Sequence, residues 1–435
     1  MPAHIAFISL FLGIVSGRQT VELRADREVA SIRITLAGQE VARLTQPPWR
    51  TELDLGNELV PRELRASGYD ANGNEIARTS EFLNLPHESA EVDIELRRSG
   101  AFPDAAQLRW RNLEFSNPKS ALVTFDGVPL KVDSQFHVRL PPQTDWSRPH
   151  IIDALMRFPD GVVARREAVI DGASFFESAR AELTPVLLTE TSAQHPASFD
   201  ACFSIDGAPV HVAAIDKDTA RVLFVQDPDP HLNTRALDPA RRASNPMTRN
   251  EVAAWARLDD DTMEEIIWPV AQRFSDRTSS TTSRLFEHTQ ELQPKSGLVG
   301  LLTLASRYGF NSPRQFADAV AVAGIRSMLG GRRRAVVLLL SERDDVSGTT
   351  PSAVRRYLTS IGVPLFVWSP VGEDVSAAAS WGPVDDISTI DHLRGAAIHL
   401  KQTLSSQRVA WVRADPLSAL RVKADERCGF ATVAH

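Results

Sequence analysis

The most constraining feature of this sequence is a strand–helix–strand pattern between residues 332 and 370. Residues 335–340 are an unbroken run of branched apolar side chains, AVVLLL, which is too short for a helix and too apolar for a half-exposed strand. Such a run is typical of a parallel strand that is buried on both faces. A helix predicted from Pro351 ends at Gly362, and residues 363–368 (VPLFVW) form a second apolar strand. This βαβ unit predicts a parallel sheet with a right-handed crossover.

Length and charge limit the class of protein. A chain of 435 residues is too long for one core and indicates several domains. The net charge of −7 favours solubility and disfavours a nucleic-acid partner. The start, MPAHIAFISLFLGIVSG, fits either an export signal or a first β-strand. We favour the strand, because no Lys or Arg precedes the apolar run and no A-x-A site follows it. Beyond this run, no stretch approaches the roughly 18 apolar residues that would span a bilayer, so we predict no integral membrane segment.

Two segments within residues 1–175 are similar to one another. Each begins with a predicted hairpin at a glycine, Gly38 or Gly127, and each ends with a hairpin at a second glycine, Gly73 or Gly161. The two intervals are 35 and 34 residues (73 − 38 and 161 − 127). Polar and apolar residues alternate between the turns, which is typical of half-buried strands. We therefore predict two tandem β-sandwiches of immunoglobulin type.

The same patterns predict the domain boundaries. The five predicted segments are a first immunoglobulin-like sandwich at 1–85, a second at 86–175, a β-rich connecting segment at 176–218, an α/β domain at 219–412 and a C-terminal tail at 413–435. Strands alternate with helices in the α/β domain, which is typical of a doubly wound sheet. The connecting segment, with a hairpin signal at Gly207, is either half of a third small sheet or an edge that docks on the α/β domain.

Two cysteines, Cys202 and Cys428, lie far apart and match no zinc or redox-motif spacing. One disulfide and two buried thiols are both consistent with the sequence. The tail, LRVKADERCGF, is a candidate strand that returns to the sheet begun near Cys202. A disulfide would then require the two Cα atoms to lie within about 7 Å.

An acidic loop follows the first strand of the α/β domain. The strand VLFVQ continues into Asp227-Pro-Asp229-Pro-His231. Ligands of open α/β sheets bind at the carboxyl ends of the strands. Two carboxylates and an imidazole at alternate positions suit a divalent cation, whereas the intervening prolines restrict how the loop curls around an ion. The alternative is a proline-stiffened loop with solvated charges.

The α/β region resembles a von Willebrand factor A domain, and the chain resembles the bacterial VWFA-related-domain proteins of acidobacterial type. The phrases that carry the resemblance are VLFVQD, QFADAVAVAG followed by RRRAVVLLLSERDD, TPSAVRRYLTSIGVPLFVW, and DISTIDHLRGAAIHLKQTLSSQRVAW. They cover about half of the chain, and nearly all of it when the immunoglobulin-like arms are counted. The resemblance implies a Rossmann-type fold, a location outside the cytoplasm and a role in binding or assembling other proteins.

That family holds a divalent ion, usually Mg²⁺, through a D-x-S-x-S loop, a threonine of a second loop and an aspartate after a later strand. Asp227 matches the first aspartate, but Asp229 and His231 stand where the two serines belong. Ser312 is the nearest substitute for the threonine, and Ser341 stands where the later aspartate belongs. We therefore predict that the ion site is degenerate and that the chain has no cofactor, with Mg²⁺ disfavoured. We also predict that it binds a protein partner without a metal.

The loops at the carboxyl edge of the sheet are the predicted partner surface. Its candidate contacts are His231, Ser341, Glu342, Asp344, Asp345 and Trp381. Trp381 lies in the loop ASWGP near the carboxyl end of a strand, and this position predicts an exposed side chain. Aromatic side chains are frequent anchors of protein interfaces. The sequence does not identify the partner.

The alternative hypothesis is a Mg-dependent phosphohydrolase of haloacid dehalogenase type, because an apolar strand that ends in D-x-D resembles the start of that family. In this hypothesis Asp227 attacks phosphorus and Asp229 acts as general acid, with Mg²⁺ between them. Ser341 would bind phosphate, and Asp385-Asp386 would be the acidic pair. The Pro-His that follows Asp229, the lack of a clearly placed lysine and the immunoglobulin-like arms argue against it. We favour a non-enzymatic function.

Overall fold

The chain divides into two compact units, which are Met1–Pro86 with Thr184–His435 and, separately, His87–Leu183. The computed structural model describes residues 5–9, 11, 14–86, 90–98, 103–112, 117–142, 144, 149–158, 163–171, 183–192, 196, 199, 201–217, 219–233, 258–259, 261–271, 286–289, 297–304, 306, 312–340, 342–372 and 378–433. No helix among these residues is both long enough and apolar enough to cross a membrane.

The first sandwich consists of seven antiparallel strands. They are β1 (Ile5–Phe7), β2 (Arg18–Ala25), β3 (Ser31–Leu36), β4 (Gln39–Leu44), β5 (Arg50–Asp54), β6 (Arg62–Tyr69) and β7 (Glu75–Leu83). One sheet has the order β1-β2-β5 and the other the order β4-β3-β6-β7. Ile32, Ile34 and Leu64 point into the core between the sheets, and the alternate residues point away from it. The described residues Ile5–Phe7 and Phe11 of the N-terminal apolar run belong to this domain, since β1 pairs with β2 and Phe7 and Phe11 lie in the same core.

The second sandwich repeats this arrangement. Its strands are β8 (Ala90–Arg98), β9 (Pro103–Asn112), β10 (Ser120–Phe125), β11 (Val128–Leu130), β12 (His137–Arg139), β13 (Pro149–Arg157) and β14 (Val163–Asp171). The sheets have the orders β12-β9-β8 and β11-β10-β13-β14. In both copies the first, second and fifth strands form one sheet and the other four form the second. The two predicted β-sandwiches are therefore confirmed, although Gly161 lies outside the described residues.

The hairpin glycines act through their backbone conformation. Ala37 and Gly38 have φ angles of 49° and 81°, and Asp126 and Gly127 have φ angles of 50° and 78°. Two consecutive positive φ angles characterise the type I′ turn, whose twist matches that of the flanking strands. Glycine adopts such angles without a Cβ clash, which explains why it marks both repeats.

Four short strands follow the second sandwich. They are β15 (Leu183–Glu190), β16 (Phe203–Ile205), β17 (Ala208–Pro209) and β18 (Val212–Asp216). β16 and β17 form the hairpin that Gly207 predicts. β15 and β18 flank a strand that comes from the C-terminal end of the chain.

The α/β domain begins after β18. Its elements are β19 (Ala220–Val225), α1 (Pro230–Asn233), β20 (Thr262–Ala271), β21 (Phe286–His288), α2 (Gly297–Leu302), α3 (Phe316–Ser327), β22 (Arg333–Leu339), α4 (Pro351–Ser360), β23 (Leu365–Ser369), α5 (Ala378–Trp381), β24 (Asp385–Asp386) and α6 (Ile390–Ser406). The sheet order is β21-β20-β19-β22-β23-β24. β21 is antiparallel to β20, and the remaining pairs are parallel.

The central strand β22 shows why this domain has two cores. All seven of its residues are buried, as its composition predicts. Val336 and Leu338 pack in one cluster with residues of α3 and α4. Ala335 and Val337 pack in a second cluster with residues of α2 and α6. Helices therefore cover both faces of the sheet.

The predicted helix of the βαβ unit has the expected termini. Thr350 is the N-cap of α4, and its hydroxyl accepts a hydrogen bond from the Ala353 amide. Pro351 occupies the first turn, where its missing N–H costs no hydrogen bond. After the helix, Gly362 has a φ angle of 63°, a left-handed conformation that ends helices.

The C-terminal strands complete a third β-module. They are β25 (Gln407–Arg413), β26 (Val422–Ala424) and β27 (Phe430–Thr432). The motif QRVAWVR predicts a last strand of the α/β domain, but β25 instead pairs with β18 and lies between β18 and β15. The reason is its pattern: Arg408, Trp411 and Arg413 are not buried, which suits an antiparallel strand better than a parallel strand covered on both faces. The predicted boundary at residue 412 is therefore corrected to the end of α6.

We call β15–β18 together with β25–β27 the split β-module, since the α/β domain is inserted between its two parts. β26 pairs with β16, and β27 pairs with β15. A disulfide joins Cys202 to Cys428, with the Cα atoms 5.9 Å apart. α7 (Pro416–Ala419) lies between β25 and β26. The two segments that flank the α/β domain in the sequence therefore form one small β-module.

The first sandwich packs on α4 within the same compact unit. The Tyr357 hydroxyl donates a hydrogen bond of 2.8 Å to the Asn84 carbonyl. Ile14, Leu59 and Leu85 of the first sandwich belong to the same buried cluster as Tyr357. Burial raises the pKa of Tyr357, which keeps this hydroxyl protonated as a donor.

Candidate functional site

The candidate site lies where the strand order of the parallel sheet reverses. From β19 the chain builds β20 and β21 on one side and then crosses to β22 on the other. In open α/β sheets the crevice beyond the carboxyl ends of the strands at this switch point is the usual ligand site. Asp227, two residues beyond β19, and the loop of residues 342–350 beyond β22 lie at that edge.

Asp227 is held by an arginine. The Arg314 guanidinium donates from Nε to Asp227 Oδ2 at 3.0 Å and from Nη2 to Asp227 Oδ1 at 3.2 Å. The Asp227 side chain is 0% exposed and the Arg314 side chain is 2% exposed. A two-point pair of this kind satisfies the carboxylate, and removing one partner from a buried pair costs about 3–5 kcal/mol.

Arg314 also connects three neighbouring segments. Its guanidinium donates to the Ser312 carbonyl, and its own carbonyl accepts from the Val346 amide at 2.8 Å. A parallel bridge joins Arg314 to Asp345. The residue therefore ties the ends of β19 and β22 to the segment that precedes α3.

The loop after β22 caps α3 from outside that helix. The Asp345 carboxylate accepts from the amides of Phe316 and Ala317 at 3.0 and 3.1 Å. In return, the Asp318 carboxylate of α3 accepts from the amides of Gly348 and Thr349. Gln315, the residue at the N-cap position, makes no side-chain capping bond, so Asp345 supplies the acceptor that the first turn needs.

These contacts test whether a divalent ion fits. Both carboxylate oxygens of Asp227 accept from Arg314, and Oδ1 also accepts from the Asp229 amide at 2.9 Å. A guanidinium therefore stands beside the carboxylate where an ion would bind, and the two cations would repel each other. Among the described residues, no group of three or more His, Cys, Asp or Glu is arranged to hold a metal. The residues present do not fit the ion that the family resemblance implies.

The other predicted residues of this edge lie in different surroundings. The Asp229 carboxylate accepts from the His231 amide at 3.0 Å, and His231 is exposed. Glu342 and Asp344 are exposed at the same edge, whereas Ser341 lies outside the described residues. Asp227, Ser312 and Asp345 are thus brought together through Arg314, whereas His231, Glu342 and Asp344 are exposed.

Trp381 is not the exposed contact that its loop composition predicts. It ends the short helix α5, is 3% exposed and belongs to the cluster beneath α3 and α4. Burial of a large apolar indole ring is favourable, which explains why this side chain packs in the core. Trp381 therefore belongs to the core and is removed from the partner surface.

The acidic pair of the phosphohydrolase hypothesis lies far from Asp227. Asp385 and Asp386 form β24, which is three strand spacings from β19, or about 14 Å. Burial disfavours the charged form of Asp386, but hydrogen bonds from Ser388 and His392 outweigh burial and hold its pKa below the ordinary value. Asp227 and this pair are therefore not placed to share one ion.

Two features of the candidate site were missed by sequence reasoning. Arg314 carries a local signal, a cation between Pro313 and the apolar helix α3, where a charge needs a partner on folding. The reciprocal capping between Asp318 and the loop of residues 345–349 has no local sequence signal. It depends on contact between segments that are distant in the sequence.

The chain was compared with known proteins. No family model matches the sequence, and no curated protein matches it. Among solved structures, the fibronectin(III)-like modules of CbhA from Clostridium thermocellum are 10% identical, with 39% of this chain and 95% of that chain covered and a TM-score of 0.16. The central fibronectin-III array of RIM-binding protein is 10% identical, with 47% and 83% covered and a TM-score of 0.24. A β-glucuronidase of Parabacteroides merdae is 11% identical, with 38% and 24% covered and a TM-score of 0.16. TM-scores this low support no conclusion about this chain.

Proposed function

We propose that this chain is a non-enzymatic interaction or assembly protein whose α/β domain is a degenerate relative of the von Willebrand factor A domains. The observation that carries the proposal is the Arg314–Asp227 pair, which places the chain's own cation at the switch point. The six-stranded sheet, with helices on both faces, is consistent with the Rossmann-type fold that the resemblance implies.

The surroundings of Asp227 count against the phosphohydrolase alternative. A nucleophilic carboxylate needs access to the phosphorus atom and an adjacent metal ion. Asp227 is fully buried and both its oxygens accept from Arg314. The exposed polar residues Glu342 and Asp344 are, by contrast, accessible to a protein partner at the same edge.

The proposed location is outside the cytoplasm. The Cys202–Cys428 disulfide supports it, because structural disulfides persist in oxidising compartments and are rare in the cytosol. The immunoglobulin-like arms of the family resemblance point to the same location.

The metal and enzyme hypotheses are tested on the full chain by calorimetry and by phosphatase assay. Titration with Mg²⁺ or Mn²⁺ is expected to give no saturable heat, and p-nitrophenyl phosphate is expected not to be hydrolysed. A tight site that Asp227→Ala abolishes would overturn the degenerate-site proposal. Hydrolysis that is lost in Asp227→Asn would establish the enzyme.

The interaction surface is tested with a partner captured by the purified chain in the presence of EDTA. We expect Asp344→Lys to weaken its binding and Asp259→Lys to leave it unchanged. Asp259 is a matched control, since it is also exposed but lies before β20 at the opposite edge of the sheet. Equal effects of the two variants, or binding that EDTA abolishes, would contradict the proposal.

A further inference from the structure

Arg334 is a cation in the interior of the α/β domain, at the amino end of the central strand β22. It is 3% exposed, and its backbone amide and carbonyl are both hydrogen-bonded to the Gln407 side chain. Alternate residues of β22, Val336 and Leu338, pack with α3 and α4, so the Arg334 side chain lies on the same face. There its Nε donates to the Gly362 carbonyl, just beyond the end of α4, at 3.4 Å.

Arg334 differs from the other buried arginines in having no carboxylate partner within the part of the chain that the structure describes. Arg314 pairs with Asp227, and Arg333 pairs with Asp261. Burial alone lowers the pKa of Arg334 to about 10. The helix α4, which packs on this face, contains no Asp or Glu. A buried charge is costly unless it is paired, so Arg334 needs a counterion that the described residues do not supply.

The carboxyl end of α4 offsets only part of this charge. A helix C-terminus attracts a cation through its partial negative charge. The Arg334 guanidinium has five N–H donors, however, and the contact with Gly362 uses only the one on Nε. Among the described residues, Nη1 and Nη2 make no hydrogen bond, and neither is one of the fully buried atoms that lack a partner, so both retain contact with the surface. Four donors at the tip of the side chain are therefore accessible to a small ligand.

The backbone at Gly362 leaves open space beside these donors. Gly362 has a φ angle of 63° and carries no side chain. A Cβ placed there would lie 4.0 Å from Arg334 Nη2 and, apart from the adjoining residues of the chain, within 4 Å of no other described atom. The position next to Nη2 is therefore not filled by the described residues.

We propose that the tip of Arg334 and the open space at Gly362 form a binding site for a small oxyanion, such as inorganic phosphate or a carboxylate of similar size. Nη1 and Nη2 form a planar fork that donates two parallel hydrogen bonds to two oxygens of one anion. Because the whole chain carries a net charge of −7, attraction of an anion depends on this local cation. The site lies at the opposite end of the sheet from Asp227, so the proposal is independent of the function of the carboxyl edge.

The test uses the full chain in a chloride-free buffer of constant ionic strength. Inorganic phosphate should bind with a saturable heat in calorimetry and should raise the melting temperature, because a ligand of the folded state stabilises that state. Arg334→Met removes the charge but keeps a long unbranched side chain, and it should weaken phosphate binding by at least about tenfold. Arg334→Lys keeps the charge without the fork and should bind with intermediate affinity.

Arg356→Met is the matched control, since Arg356 is an exposed arginine of α4. Its phosphate affinity should equal that of the unmodified chain. Equal weakening by Arg356→Met and Arg334→Met would indicate diffuse attraction and would overturn the proposal.

Parallel titrations with acetate and chloride identify the ligand class. Binding of phosphate or acetate that depends on Arg334 supports the proposal, and the stronger of the two identifies the oxyanion. Absence of saturable binding of both would overturn it. Binding of chloride alone would also overturn it, because a spherical ion does not require the two-point fork. If Arg334→Met fails to fold, Arg334→Lys decides the question, and a phosphate affinity equal to that of the unmodified chain would then contradict the proposal.

Discussion

The two sandwiches have the same number of strands, equivalent sheet orders and a type I′ hairpin each, yet they belong to different compact units. In the first, Leu85 is 2% exposed and lies in a core shared with α4. In the second, Leu122, Val128 and Ile151 are exposed by 52%, 62% and 44%. The first sandwich also has exposed apolar side chains, such as Val41 at 41%, so the contrast lies in the core that Leu85 shares with α4.

The difference between the sandwiches depends on a few side chains outside the repeated pattern. Asn84 has a positive φ angle of 57°, and its amide bonds to the backbone of Val15 and Val60. This conformation directs its carbonyl to Tyr357. Alternation within strands specifies a sandwich, whereas the contact with α4 depends on Asn84 together with the buried residues Leu59 and Leu85.

The largest expected effect comes from removing the disulfide. It should affect the split β-module and leave the two sandwiches, which contain no cysteine, unchanged. Cys202→Ser with Cys428→Ser should destabilise the module by about 5 kcal/mol, because the disulfide closes a loop with a sequence separation of 226. Hydrogen exchange measured by mass spectrometry should show faster exchange in β16, β26 and β27. Peptides of the second sandwich serve as the internal reference, and equal acceleration there would contradict the expectation.

The next effect tests the shared core directly. Leu85→Ala should destabilise the first compact unit by about 3 kcal/mol, the usual cost of truncating a buried leucine. Leu122→Ala, at an exposed position of the second sandwich, should change stability by no more than about 0.5 kcal/mol. Chemical denaturation of both variants measures the contrast. Similar losses of unfolding free energy in the two variants would contradict the expected difference between the buried Leu85 and the exposed Leu122.

A smaller effect isolates the hydrogen bond between the first sandwich and α4. Tyr357→Phe should cost about 1 kcal/mol, since it leaves the buried Asn84 carbonyl without this donor. Tyr69→Phe is the control, because among the described residues the Tyr69 hydroxyl has no hydrogen-bond partner to lose. Thermal unfolding measures the melting temperatures of both variants. An equal fall in the two would contradict a stabilising role for the Tyr357–Asn84 hydrogen bond.

The smallest effect compares two exposed carboxyl groups. The Asn74 backbone and side chain hold the pKa of Asp70 below its ordinary value in the first sandwich, and the His137 backbone amide does so for Asp133 in the second. Because both pKa values are depressed on folding, each stabilising contribution is present above the unfolded pKa of about 3.9 and is lost as the pH falls through the folded value.

Asn74→Ala should therefore raise the pKa of Asp70 and leave that of Asp133 unchanged. Titration of the two carboxyl carbons by NMR measures both values in one sample. A shift of Asp133 in this variant would show that the two groups are not independent.

How much could be predicted differs between the fold and the site. Alternation and glycine turns predicted the sandwiches, and the apolar run of residues 335–340 predicted β22. Both predictions succeeded because each signal is contained in a few consecutive residues. Asp227 was placed correctly after the first strand of the α/β domain. Arg314 was missed as its partner, because 87 positions separate the two residues. The predicted exposure of Trp381 was wrong, since a loop composition does not record which core lies beneath it.

The sequence by itself determined the local elements of this protein: the repeated hairpins, the βαβ unit and the two ends of its helix α4. Only the tertiary structure decided that the α/β domain is inserted into the split β-module, that Cys202 meets Cys428, and that Arg314 stands at the switch point. The physical reason is the range of the interactions. Backbone preferences and periodicity act over a few residues, whereas burial, ion pairing and disulfide formation depend on which distant segments the fold brings into contact.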